Sequence, residues 1–261
     1  MRRSTAGRRR ASPAMGMVDL VADDGVRARE PVLIARPVRA LVVVGVAVVV
    51  AGALGVRYAG ESYPRWMDEF AFMLARAWFP IPRGLARGII DLYDAVPLAV
   101  AVAVLACVCL YLGRRRLAVL AVAGPVLTGL ATTVVKPLIE RTKNGDLSYP
   151  SGHMGSAVAV AIVLGLLLVG LFGRRRWVTA VGVAIPVLWG ATVGVAMTVT
   201  NYHYWTDAVG GFFVAVAVVL GLAVLIDARP SRRSGMSRLP GWGGEFDALG
   251  RSRFRGDAPT T

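Results

Sequence analysis

Residues 149–172 read YPSGHMGSAVAVAIVLGLLLVGLF: a short polar turn ending in a histidine, then 19 residues without one charged or histidine side chain. Crossing the hydrocarbon core of a bilayer takes about 20 residues, with roughly 17–25 as the usual range. The run shows no polar face recurring every 3.6 residues, so it does not read as a helix of a soluble bundle. Five more charge-free runs flank it, at 41–56, 97–112, 117–135, 177–199 and 208–226. The two shortest recruit Ala40, and Ala95 with Val96, to reach spanning length. The sequence therefore predicts an all-α integral membrane protein of six transmembrane helices. A hydrophobic content of 56% and a mean hydropathy of +0.59 agree with that class. Ala, Val, Leu and Gly fill the runs, and small residues let helices approach closely where lipid offers no hydrophobic drive.

This divides the chain into a basic tail at 1–39, a membrane domain at 40–226 and a second basic tail at 227–261. Both tails are rich in Arg, Gly, Pro and Ser and short of large apolar residues, a composition expected to stay disordered. A cleaved leader is not expected, because an arginine-rich polar arm precedes the first apolar run. Cys107 and Cys109 share the second run; two apart on a helix they face about 200° from each other. They read as small buried hydrophobes rather than as a pair.

The net charge of +14 is segregated. With the N-terminus inside, cytoplasmic segments hold 22 of the 30 Lys and Arg residues, including the RRR connectors at 114–116 and 174–176. Short positively charged loops mark the cytoplasmic side, where they also meet anionic headgroups. The expectation is a multi-pass cell-membrane protein with both termini cytoplasmic and segments 57–96, 136–153 and 200–207 outside. No aromatic-interleaved basic module accompanies the arginines, so no nucleic-acid partner is expected. Segment 57–96 includes YPRWMDEFAFMLARAWFP, whose Trp66, Phe70, Trp78 and Phe79 suit a short helix in the headgroup layer.

The only two histidines, His153 and His203, fall in the second and third of these outer segments, and the only two lysines, Lys136 and Lys143, both fall in the second. Pro150-Ser151-Gly152 leads directly into the fourth span. Ser151 there is placed to cap the helix, with its free N–H groups and positive end aimed at an oxyanion. Lys136, Arg141 and Lys143 add the positive charge that a phosphoryl group needs in its transition state. His203 and Asp207 are four apart at the start of the sixth span, the spacing that brings side chains together on a helix. A carboxylate on one ring nitrogen fixes the tautomer and leaves the other nitrogen nucleophilic. His153 then remains to protonate a leaving oxygen. The loops show no His/carboxylate cluster with ligand spacing, so neither a metal nor another cofactor is expected.

These segments resemble the three signatures of the type-2 phosphatidic-acid phosphatase family, related to the vanadium haloperoxidases: K-x6-R-P, P-S-G-H and S-R-x5-H-x3-D. The second is matched in full at 150–153, and H-x3-D runs from His203 to Asp207. The resemblance, over roughly 57–226, implies six spans with the site at the outer face. It implies that His203 becomes a phosphohistidine, Asp207 orients it, His153 protonates the leaving group, and Ser151 and Gly152 bind phosphate without a metal. The sequence departs in two places. Lys143-Asn144 stand where the family has Arg-Pro, and Ala196-Met197 stand where it has Ser-Arg. A thioether does not replace a planar bidentate donor. Two readings follow. One is a lipid phosphatase or phosphotransferase acting on a polyprenyl diphosphate, phosphatidic acid or a similar lipid phosphate. The other is a catalytically weak relative that binds anionic lipid or a protein partner. A transporter is disfavoured, since its spans usually keep ionisable groups at mid-membrane. Oligomeric state is not legible.

Overall fold

A computed structural model describes residues 31–229; the expectation of disorder at 1–39 and 227–261 falls mostly outside them. Eight helices and one hairpin follow in order: α1 (Pro37–Arg57), α2 (Trp66–Trp78), α3 (Arg83–Asp91), α4 (Ala95–Tyr111), α5 (Arg115–Ile139), β1 (Thr142–Lys143), β2 (Asp146–Leu147), α6 (Gly152–Phe172), α7 (Arg176–Val199) and α8 (Trp205–Ala228). Local chemistry places the ends. Pro37 opens α1, where its missing N–H has no partner to lose. Glu140 closes α5 in the left-handed region, at φ 55°. Ser151 caps α6, its Oγ accepting the Met154 N–H.

Among the described residues, five helices (α1, α5, α6, α7 and α8) are long and apolar enough to cross a membrane. The second predicted span, 95–112, corresponds to α4 and falls short of a full crossing. At 17 residues α4 rises only about 26 Å, short of a core roughly 30 Å thick. It becomes a sixth span only together with α3, from which it is bent by 59°. The corner between them, Leu92 to Asp94, lies at the same end of the bundle as the histidines, since Asp94 contacts His153.

Helix α6 runs through the centre, packed against α5, α7 and α8, while α1 covers α8 and α4 covers α5. Its core residues Met154, Ala157, Val158, Ile162 and Val163 are buried. Close approach depends on glycine: a Cβ on Gly165 would lie 2.2 Å from the Gly182 carbonyl oxygen of α7, and one on Gly211 of α8 would lie 2.3 Å from the Ser151 carbonyl oxygen. These are the small-residue contacts by which membrane helices associate. The expected interfacial helix is α2. It exposes Trp66, Phe70, Met73 and Trp78 and buries Asp68 and Ala75.

Candidate active site

The site segments 136–153 and 200–207 converge at one end of the bundle because α6 and α8 both begin there. The two starts are tied by the Ser151 N–H, which donates to the Asp207 carbonyl at 3.1 Å. His203 precedes α8, and Asp207 sits in its first turn with no exposed surface. The Asp207 Oδ2 lies 3.6 Å from His203 Nδ1, just beyond hydrogen-bond reach, and both atoms are buried without a hydrogen-bond partner among the described residues. Catalytic contacts are often long in the empty site and tighten with substrate. Burial pushes the His203 imidazole below its ordinary pKa, outweighing the opposing pull of Asp207; Lys136 and His153 lower it further. The ring is thus held neutral, with a lone pair available.

His153, in the first turn of α6, pairs through Nε2 with Asp94 Oδ1 at 3.0 Å. The Tyr202 ring stands edge-on to both histidines, at centroid distances of 5.4 Å to His153 and 5.3 Å to His203. Behind it the Arg87 guanidinium lies 4.9 Å from the same ring. Neither Asp94 nor Arg87 was identified from the sequence. Both belong to the α3–α4 corner, and the only signal was a pair of arginines, 83 and 87, four apart beside apolar Leu85, Ile89 and Ile90.

The lysines diverge. Lys136, in the last turn of α5, is half-buried and close enough to His203 to depress its pKa. Lys143 is nearly buried, donates to the Asn201 side-chain oxygen at 2.9 Å and lies 4.1 Å over the Tyr204 ring. With Asn144, Asn201 and His203 it lines a cavity of about 340 Å³ whose other wall is Pro64, Asp68, Glu69 and Phe72. Desolvation lowers the Lys143 pKa. The hairpin that presents it turns at Asn144-Gly145, both with positive φ (53° and 92°), the signature of a tight two-residue turn. A proline, fixed near φ −65°, has no place at Asn144; that is the local reason the Arg-Pro of the resembled signature is not seen here.

Arg141 does something other than face a phosphate. It has no exposed surface. Its Nη1 donates to Asp207 Oδ1 and Thr206 Oγ1, both at 2.6 Å, and its Nη2 to Asp68 Oδ2 at 2.7 Å. Its guanidinium is sandwiched between Tyr58 and Tyr204 at 4.4 Å from each ring centroid. The sequence expectation of phosphate binding thus meets an arginine already turned toward two carboxylates. Its neighbour two residues on, Lys143, is the one that reaches the cavity. Met197, at the register of the resembled arginine, is fully buried with its sulfur 3.7 Å from the Ser151 hydroxyl. A Cβ on Gly152 would stand in ordinary van der Waals contact with the Thr132 hydroxyl, at 3.5 Å.

Comparison with known proteins agrees with the signatures. Residues 136–231 match the PAP2 superfamily. The fold matches the crystal structure of a transmembrane PAP2-type phosphatidylglycerolphosphate phosphatase from Bacillus subtilis with a TM-score of 0.53 and 18% identity, over 77% of this chain and 100% of that one. No curated protein sequence matches the chain. Residues 136–231 are thus similar in sequence to the PAP2 superfamily, and the all-α membrane bundle is similar in fold to a PAP2-type phosphatase.

Proposed function

We propose that the protein is a metal-independent lipid phosphatase or phosphotransferase, acting on a lipid phosphate or diphosphate at the outer face of the membrane. Polyprenyl diphosphates, phosphatidic acid and phosphatidylglycerol phosphate are the substrate classes in view. One observation carries the reading: the only two histidines of the chain flank one tyrosine ring at the mouth of the bundle, with the buried Asp207 carboxylate behind His203.

In the first step His203 Nε2 attacks phosphorus, and the bond from phosphorus to the lipid or diphosphate oxygen breaks. His153 delivers its proton to that oxygen, and Asp94 holds the imidazolium beforehand. Asp207 takes the Nδ1 proton contact as the His203 ring becomes positive. In the second step His153, now neutral, removes a proton from water or an alcohol, whose oxygen attacks the phosphohistidine and releases His203. Ser151 and Gly152, at the α6 N-terminus, receive the phosphoryl oxygens. Lys136 and Lys143 balance their charge, with the Arg87 guanidinium beyond Tyr202.

A panel of lipid phosphates incubated with the purified protein in detergent, with and without EDTA, tests this by released phosphate. Release from at least one lipid, unchanged by EDTA, is expected. Loss on chelation with recovery on a divalent ion overturns the mechanism. A second reading, a relative that only binds anionic lipid, is favoured by the buried Met197 at the register of the clamping arginine. Lipid retention without any release selects it.

A further inference from the structure

Behind the histidines a buried polar cluster joins the amphipathic helix α2 to Asp207. Asp68 is 3% exposed, on a helix whose other face is exposed and aromatic. Its Oδ1 accepts from the Thr206 N–H at 3.0 Å and the Thr206 hydroxyl at 2.7 Å, and its Oδ2 accepts from Arg141. Helix α8 has no cap of its own, since Tyr204 supplies no side-chain acceptor there. Asp68 performs that task from another helix, an anion at a positive helix end. Arg141 then bridges Asp68 to Asp207 Oδ1, while Oδ2 is left facing His203 Nδ1. A buried ion triad is a weak source of stability, because removing three charges from water offsets most of their attraction. Its place against Asp207 gives it a different consequence.

We propose that Asp68, acting through Arg141, sets how much of the Asp207 charge reaches His203, so that α2 is a positioning element of the active site as well as a membrane-surface helix. With Asp68 present the guanidinium is shared between two carboxylates, and Asp207 keeps charge for the imidazole. Without it the whole positive charge falls on Asp207, and in a low-dielectric site that change is large. The proposal deepens the reading of His203 as nucleophile, yet it concerns ring electrostatics and is measurable without turnover. Nothing in the matched segment 136–231 contains Asp68.

Two histidines make the test simple. The full chain, labelled with ¹⁵N-histidine in detergent, gives two titrating rings. Lys136 of α5, His153 of α6, Lys143 of β1, Glu69 of α2 and Arg87 of α3 also surround His203, and they stay unchanged in every variant. In Asp68→Asn the His203 midpoint is expected to fall by about half a pH unit or more, with the His153 midpoint unmoved. In Asp68→Asn/Arg141→Gln, which removes both charges and keeps an amide pair, Asp207 is unopposed and the His203 midpoint is expected to rise above wild type. Opposite shifts from two disruptions of one cluster are not what a purely structural role produces. On the released-phosphate assay kcat of Asp68→Asn should fall about tenfold with KM within about twofold. The double variant keeps the test open if Asp68→Asn does not fold. Unmoved His203 midpoints, or shifts of the same sign, in folded variants overturn the proposal. Normal shifts without any phosphate release leave it standing and overturn the phosphatase reading instead.

Discussion

Met197 concentrates the chemistry of this site into one side chain. It fills, without exposed surface, the place beside Ser151 where the resembled signature carries an arginine. If the remaining cations carry that load, Arg87→Ala should raise KM severalfold, and Met197→Arg should raise the rate. A charged donor to a developing oxyanion is worth about 10²–10³ in rate, so a rise of tenfold or more is expected. No gain, with the arginine variant folded, would show that the pocket has been rebuilt around the thioether. His203→Ala should abolish release, and Asp207→Asn should leave a small residue, since the ring remains but loses its carboxylate. Wild-type rates in folded His203→Ala would end the phosphohistidine mechanism. The pH profile follows from burial. The proposed nucleophile, His203, has to be neutral to attack, and its folded pKa lies below the ordinary imidazole value near 6.5. Activity should therefore persist below that pH and fall only as His203 gains its proton. An acid limb of kcat/KM at or above the ordinary value would contradict the desolvated site.

At the scale of elements, the meeting of α6 and α8 decides whether those residues reach one another. Gly211→Ala would push a Cβ against the Ser151 carbonyl and toward Met154 Cβ, at 2.3 and 3.2 Å. Helix backbones must part to relieve it, and overpacking of this kind costs about 1–3 kcal/mol. The expected result is a lower thermal midpoint in detergent together with reduced activity, because Ser151 and Asp207 separate. Gly221→Ala on the same helix meets nothing within 4 Å and should be neutral or slightly stabilising, as alanine favours helix over glycine by about 1 kcal/mol. Equal effects of the two would show that the close approach does not govern the site. These elements also show what a sequence can disclose. The spans, the capped start of α6 and the His203–Asp207 spacing are local patterns and were legible. The inward turn of Arg141 was not legible because Asp68, its partner, lies 73 residues away, and nothing local says which of two nearby cations turns inward. Asn144-Gly145 carried a hairpin signal that explains Lys143, but the alternation around it is only two residues long on each side. Asp94 and Arg87 stayed hidden because a helix break at a 59° corner, not a motif, brings them to the histidines.

For the whole molecule the open quantity is direction across the membrane, and the distribution of charge argues for one answer. The segments at the end of the bundle that holds the site carry eight of the 30 Lys and Arg residues of the sequence, whereas the RRR connectors lie between α4 and α5 and between α6 and α7 at the opposite end, where Arg114 donates to the Gly170 carbonyl and Arg174 to the Val32 carbonyl. Arginines in short connectors are retained in the cytoplasm. Gly145 and Tyr202 should therefore lie outside, with both connectors inside. Single cysteines at 145, 202, 115 and 175, in a chain lacking Cys107 and Cys109, report this through an impermeant thiol reagent. Immediate labelling of the first two, and labelling of the other two only after permeabilisation, is expected. Position 145 is the more telling, because it is exposed at the tip of the hairpin and a Cβ there meets nothing within 4 Å. Its φ of 92° strains any side chain, so a cysteine at the exposed neighbour Asp146 serves as the control. Labelling at 145 and 146 only after permeabilisation would turn the site toward the cytoplasm, and the substrate would then have to be a lipid phosphate of the inner leaflet.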